Sequence, residues 1–426
     1  MRRYYLSFLL FNFLLFWYPA QGQEHGLTIT DIQLSGLKKS NEGYLRNFIK
    51  TTVGQPYRPL QAEEDRQQLI RVPGIGNVTV LVDTVADRQV SIEFAVEEQR
   101  TLLPIAGLGG VTDNFWFQLG LAEYNFLGKG QTLLGYFLSN NGIPNGQIFF
   151  RNERVKGQPW GYAIDVRRIG TPEPLFFPEA TVNYIYTNTS TGITGIRHIG
   201  FNRKIELGFN FFVEEYEKDE EVEFPPLPGP DILSQDKLLT RLSFETNHLK
   251  YDYFYRGGSY WRAIGQSVYT FDDNSQFFSL ILERIQYWRP YRTANIAIRL
   301  KAGIATNNDS PFAPFVLDSQ VNIRGSGNRV DRGTAQAVVN AEFRQTIFQF
   351  SHFAGQVVGF ADTGTWRKPG GEFQDLVMRK NLRQFVGLGV RLINQKVFGA
   401  VLRFDYGVDV FDTGERGAVI GVGQYF

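Results

Sequence analysis

From Arg100 to Phe426 apolar and polar side chains alternate with a period of two. Ile205, Leu207, Phe209 and Phe211 share one face, and Lys204, Glu206, Gly208 and Asn210 the other. Phe115, Phe117, Leu119 and Leu121 alternate in the same way with Trp116, Gln118, Gly120 and Ala122. Ile296, Ile298 and Leu300 alternate with Arg299 and Lys301, and Val386, Leu388, Val390 and Leu392 with Gly387, Gly389 and Arg391. This is the period of a strand with two unlike faces. The segments run to about ten residues, the length that crosses a bilayer as a tilted strand. The pattern predicts sixteen antiparallel strands near 101–110, 113–125, 131–140, 146–155, 160–168, 179–198, 203–215, 236–249, 256–270, 276–288, 292–303, 334–347, 353–363, 383–392, 399–407 and 416–426. Short turns such as Phe126–Gly130, Lys156–Pro159 and Arg289–Tyr291 fall on one side, and long connections, 216–235 and 304–333 among them, on the other. Only a closed ring of strands leaves no unpaired edge in lipid.

Residues 27–98 read differently. LTITDIQLSG is a strand, and SNEGYLRNFI is a helix with Ser40 as its N-cap and Tyr44, Leu45 and Phe48 at helical spacing. PLQAEEDRQQLIR is a second helix opened by Pro59, and VTVLVDTVADRQVSIEFAVEE gives two strands around a turn at Ala86–Arg88. The β-α-α-β-β order, with the phrases LSGLKKSNEGYL and GQPYRPL, resembles a POTRA domain. Such domains lie in the bacterial periplasm and pair with extended chains along an exposed strand edge. A small α+β spacer fits the same pattern, and its open edge is available for strand addition.

The compartment comes from the first residues. Arg2 and Arg3 precede an apolar run, Leu6 to Trp17, followed by PAQGQE. That is a signal peptide, 1–22, with cleavage expected after Gly22. The run is too short for a span, which takes about 20 residues. The whole chain holds 37 Phe, 20 Tyr and 6 Trp, no long apolar stretch follows that first run, and mean hydropathy is slightly negative. An exported chain without cysteine has no disulfides to hold a loop-rich fold. The net charge of +1 lacks the basic stripe of a nucleic-acid binder. With four histidines and no cysteine a structural zinc site is not expected, and no cofactor is implied. The patterns G-x-S-x-G and H-E-x-x-H do not occur, so no catalytic set emerges and the chain reads as a non-enzyme.

The stretch VNIRGSGNRVDRG, 321–333, carries glycines and arginine as a phosphate loop would. It lies between the eleventh and twelfth strands with no helix after it and no G-x-x-x-x-G-K-[ST] order, which removes the nucleotide reading. With one POTRA-like unit, sixteen strands and an Arg-Gly motif in this loop, the chain resembles the BamA/TamA superfamily of outer-membrane assembly and translocation barrels, of bacterial surface antigen type. EYNFLGKGQTL, NAEFR, FADTGTW, LRFDYG and the final Phe426 agree with that resemblance. It implies that the loop bearing Ile323, Arg324, Gly325 and Gly327 folds into the lumen, where Arg324 meets Glu342 and Asp362. An arginine fork suits two carboxylates; a solvated loop arginine is the plainer alternative. The sequence departs from the family at Ser326, where an aromatic usually follows Arg-Gly, and at Asp318 and Ser319, where glycines often stand.

Closing the ring pairs LPIAGLGGV with GAVIGVGQYF, so Gly107, Gly109, Gly110, Gly421 and Gly423 fall at one seam. Glycine weakens strand pairing, and the resemblance implies that clients enter there. Glycines that fit a crowded lumen or ease curvature explain the same letters. Phe426 with Val422 and Ile420 reads as a C-terminal targeting signal, interrupted by Gln424. The implied partners are outer-membrane lipids, unfolded outer-membrane or secreted clients at the POTRA edge, and accessory periplasmic proteins, with no nucleic acid. A passive pore, or a dedicated exporter of one secreted client, are the alternatives.

Overall fold

The structure, a computed structural model, describes residues 26–111, 114–140, 142–176, 181–218, 229–308, 314–317, 322–326 and 331–426. The expected signal segment 1–22 lies outside them, as do Asp318, Ser319 and Gly327. The N-terminal unit comprises β1 (Thr28–Ser35), α1 (Glu42–Leu45), α2 (Pro59–Ile70), β2 (Ile75–Ala86) and β3 (Gln89–Glu98). Its sheet has the order β1-β3-β2, with β1 parallel and β2 antiparallel to β3. Alternate residues Val90, Ile92, Phe94 and Val96 of the central strand face Leu45, Phe48, Leu69 and Ile70 from the helices, which makes the core. Asn41, not Ser40, caps α1, accepting the N–H of Tyr44 at 2.8 Å. Ser40 is drawn away because its hydroxyl accepts from Asn125 Nδ2 at 3.0 Å and its N–H donates to Glu98. The outer edge of β1 is covered by residues 54–57, through bonds such as Ile29 N–H to the Gln55 carbonyl. The edge of β2 is left open, with Leu81, Val82 and Val85 exposed beside it.

The rest is β4 (Leu102–Val111), β5 (Asn114–Phe126), β6 (Gln131–Asn140), β7 (Ile143–Asn152), β8 (Trp160–Phe176), β9 (Thr181–Ile199), β10 (Arg203–Lys218), β11 (Ile232–Asn247), β12 (Lys250–Asp252), β13 (Tyr255–Thr270), β14 (Gln276–Trp288), β15 (Ala294–Ala305), β16 (Phe315–Leu317), β17 (Asp331–Gly333), β18 (Ala335–Phe350), β19 (Phe353–Arg367), β20 (Leu382–Asn394), β21 (Val401–Asp409) and β22 (Arg416–Val422). Sixteen of these, all but β12, β16 and β17, form a closed antiparallel barrel whose ring closes between β22 and β4. Short β12 extends the β13 hairpin, and β16 pairs with β17 in the loop between β15 and β18. Along each strand every second apolar residue points outward: Leu207, Phe209 and Phe211, then Leu242 and Phe244, then Leu388, Val390 and Leu392 are all exposed. A soluble monomer rarely exposes an apolar patch beyond about 300–600 Å². A band repeated around the ring is therefore a surface for hydrocarbon.

Several strands end elsewhere than the alternation indicates. β7 begins at Ile143, and β8 runs through Pro172 and Pro174 to Phe176. β7 pairs with β8 only as far as Arg168, so the prolines lie beyond it and pair with β9 alone. Two prolines spaced by two residues turn their missing N–H groups to the same, unpaired side. β22 stops at Val422 instead of continuing to Phe426, because Gly423 takes φ +91° and redirects the chain.

The N-terminal unit sits on one rim of the barrel. Lys39 pairs with Glu123 at 2.6 Å, and Asn41 N–H donates to the Gly128 carbonyl. Arg71 donates to Asn202 Oδ1 at 2.7 Å and to the Leu249 carbonyl at 2.8 Å. The connection into β4 is fastened as well. Arg100 N–H donates to the Lys396 carbonyl at 2.8 Å, Phe398 N–H returns a bond to the Arg100 carbonyl at 2.9 Å, and the Phe398 ring lies 5.0 Å from Tyr124. These contacts join the start of β4 and the end of β5 to the β20–β21 turn, passing by β22.

Candidate functional site

The loop between β15 and β18 enters the barrel, and residues 322–326 form its described tip. Ile323 is buried with Leu317, Val338, Trp366 and Phe385. Gly364 of FADTGTW makes room for it, since a Cβ there would collide with the Ile323 side chain. Asn340 of NAEFR donates to the Asn322 carbonyl at 2.8 Å. Gly325 turns the tip with φ +94°, and a Cβ on it would lie 2.8 Å from Gly407 Cα, so both dihedral and space require glycine.

Arg324 has no exposed surface. Its Nε and Nη2 donate to the two oxygens of Asp362, each at 2.8 Å, and its own backbone N–H adds a third bond at 3.0 Å. Nη1 bonds Glu342. This is the two-pronged geometry in which a guanidinium recognises carboxylate. Phe360 and Tyr425 stack on the group, their centroids 3.9 and 4.2 Å from Cζ. Ser326, at the position that follows Arg-Gly, bonds its hydroxyl to the Ile323 carbonyl at 2.9 Å and tightens the turn.

The cluster is larger than the sequence reading. Arg344 pairs with Glu342 at 2.5 Å, and Arg391 grips Asp405 in two-pronged fashion at 2.7 and 3.1 Å. Asp405 also lies 4.0 Å from Arg324. All these groups are buried, so each charge is stable only because the others are present. Arg344 belongs to NAEFR and Asp405 to LRFDYG, phrases already visible as marks of the resemblance. Nothing in one sequence says that β18, β19, β20 and β21 aim them at a common point. The arrangement holds a loop; no group in it has the nucleophile–base geometry of an active site.

At the seam, Gly421 faces inward, where a Cβ would lie 2.6 Å from Arg403 Nε. A Cβ would thus press on the movable end of one side chain, while a turn accounts for Gly423. Gly107, Gly109 and Gly110 lie in β4, and their surroundings fall outside the described residues. Ile420 and Val422 point outward and are 79% and 72% exposed. Phe426 does not continue their row. It packs inside against Leu249, Tyr287 and Ala297, and its carbonyl accepts from Arg344 Nη2 at 3.1 Å.

No protein-family model and no curated protein sequence matches the chain. Solved structures do. BamA from Haemophilus ducreyi lacking POTRA domains 1–3 aligns at TM-score 0.51 and 14% identity, over 92% of this chain and 83% of that one. CdiB from Acinetobacter baumannii aligns at TM-score 0.54 and 12% identity, over 90% and 70%. CdiB from Escherichia coli aligns at TM-score 0.61 and 9% identity, over 92% and 75%. At these identities the likeness is one of fold: the chain has the architecture of the BamA and CdiB barrels.

Proposed function

We propose that this chain is an outer-membrane barrel of the BamA/TamA superfamily that inserts or translocates unfolded client proteins without nucleotide hydrolysis. In this reading residues 1–22 are removed on export, 27–98 are a periplasmic POTRA domain, and 101–426 are the membrane barrel. The observation that carries it is the buried Arg324–Asp362–Glu342 lock on a loop folded inside a closed sixteen-stranded barrel. The neutralised charge cluster fixes an internal loop across the lumen. Two features support the reading further. The open edge of β2 stands at the rim, ready to take an extended client by main-chain pairing. The ring closes on β22, only seven residues long, so this pairing is the cheapest place for the ring to part, with Gly107, Gly109 and Gly110 on the facing strand. Ile420, Val422 and Phe426 serve as the targeting signal before folding. Lipid meets the outer band, and accessory periplasmic proteins meet the N-terminal unit.

A reversible staple tests the mechanism, because the native chain has no cysteine to interfere. Cysteines replacing Leu108 and Val422, or Leu108 and Ile420, fold normally, stop client assembly when oxidised and restore it when reduced. Undiminished activity of the fully crosslinked protein refutes lateral opening and leaves a through-lumen exporter or a pore. Outer-membrane proteomics after depletion identifies the clients.

A further inference from the structure

The segment after β22 is placed as a ligand is placed in a receptor. Gly423 alone could make the turn that begins it: a Cβ there would meet nothing within 4 Å, so the residue is glycine for its φ of +91°. Its N–H is held by the Val401 carbonyl at 2.7 Å. Beyond the turn Tyr425 is only 8% exposed. Its ring lies 4.2 Å from the Arg324 guanidinium and 4.8 Å from that of Arg403. Nε and Nη1 of Arg403 are buried without a hydrogen-bond partner among the described residues, and the Tyr425 ring is set against its charge. The Phe426 ring lies 5.5 Å from Arg344, which also holds the Phe426 carbonyl. Three arginines from three different elements thus grip two aromatic residues and one carbonyl. A cavity of about 320 Å³ between the N-terminal unit and the rim is lined by Gln424 together with Arg71, Tyr251, Arg256 and Phe398, and gives access to the segment.

We infer that the barrel contains a binding site for an aromatic dipeptide, built from Arg324, Arg344, Arg403 and the Leu249–Tyr287 floor, and that Tyr425–Phe426 occupies it in cis. Because Arg324 also holds the inner loop, occupancy of this site ties β22 to the lock, and an incoming segment of the same chemistry would compete for it. The site stands on these contacts and does not depend on the transport reading.

The test uses a fluorescent decapeptide of residues 417–426 and folded protein in detergent micelles, with folding checked by heat-modifiable migration. The chain ending at Gly423 should bind the peptide saturably, and the full chain at least tenfold more weakly because its own segment fills the site. A peptide with alanine at both aromatic positions should bind at least tenfold more weakly, and Arg403→Gln should weaken binding in the shortened chain. If the shortened chain does not fold, the full-length Tyr425→Ala/Phe426→Ala variant takes its place as receptor. The inference is overturned if no binding is seen to the emptied site. It is also overturned if the alanine peptide binds equally well, which would mean simple pairing along a strand edge.

Discussion

Replacing Arg324 by alanine strands Asp362. Three of the four N–H groups donated by Arg324 go to that carboxylate, and removal of the side chain leaves only the backbone bond. Glu342 is less affected, because Arg344 remains at 2.5 Å. Leaving one buried charge uncompensated costs about 3–5 kcal/mol, a change of roughly a hundred- to a few-thousand-fold in the folded equilibrium. The loss falls on residues 322–326 and the Ile323 contacts first. Urea unfolding in lipid vesicles, followed by heat-modifiable migration, gives the magnitude, and Trp366, which touches the Ile323 cluster, reports locally. Arg324→Lys should recover less than half of the loss, since an ammonium cannot make the fork. Adding Asp362→Asn to Arg324→Ala should regain stability, because no charge is then stranded. A loss below about 1 kcal/mol, or strictly additive single variants, would mean that solvent reaches the pair and the lock is not what fixes the loop.

Gly325→Ala should match Arg324→Ala in cost, because the added Cβ meets Gly407 backbone at 2.8 Å and the φ is strained, whereas Gly421→Ala should cost far less, since Arg403 can swing aside; the same urea titration compares them. Removing Phe426 should lower the outer-membrane level of the protein by several-fold while periplasmic or degraded material rises, read by fractionation; unchanged levels would show that insertion is signalled elsewhere. Burial opposes ionisation of Glu98, but the hydroxyl and N–H of Ser40 and the N–H of Lys39 outweigh it and hold its carboxyl below the ordinary value. Its contribution is therefore complete above the usual carboxylate range near 4 and is lost as pH falls through the lowered value. Protection of the Lys39 and Ser40 N–H groups from hydrogen exchange, taken relative to the intrinsic rate at each pH, should fall in acid, and Glu98→Gln should show the lowered protection already at neutral pH.

Period-two alternation made the sixteen strands legible because lipid outside and a polar lumen inside enforce it on each strand. The ends were harder. Proline at 172 and 174 reads as a stop, and only the early end of β7 shows why the strand tolerates it. Gln424 interrupts the outward row after β22 because the chain has already turned inward at Gly423, which the letters did not announce. Of the cluster, Arg324, Glu342 and Asp362 could be named from the resemblance, each from a motif. Arg391, Arg403 and Tyr425 could not. Their roles come from the curvature of the barrel wall, which turns the inner faces of the consecutive strands β18 to β22 toward one loop, and local pattern carries no trace of that. The seam glycines show the converse. Their letters spoke equally for weakness and for crowding, and at Gly421 a Cβ would meet only the movable end of the Arg403 side chain.

The fastening of residues 99 and 100 to the β20–β21 turn has a geometric consequence. The two walls on either side of β22 share a fixed point at the rim that carries the N-terminal unit, through the paired Arg100 bonds and the Tyr124–Phe398 contact. Walls pinned at one end can separate only as the ribs of a fan do, with nearly no gap at the pivot and the widest gap at the far margin. Any opening beside the last strand would then be a wedge, with its apex at the rim that carries the N-terminal unit and its mouth at the opposite rim.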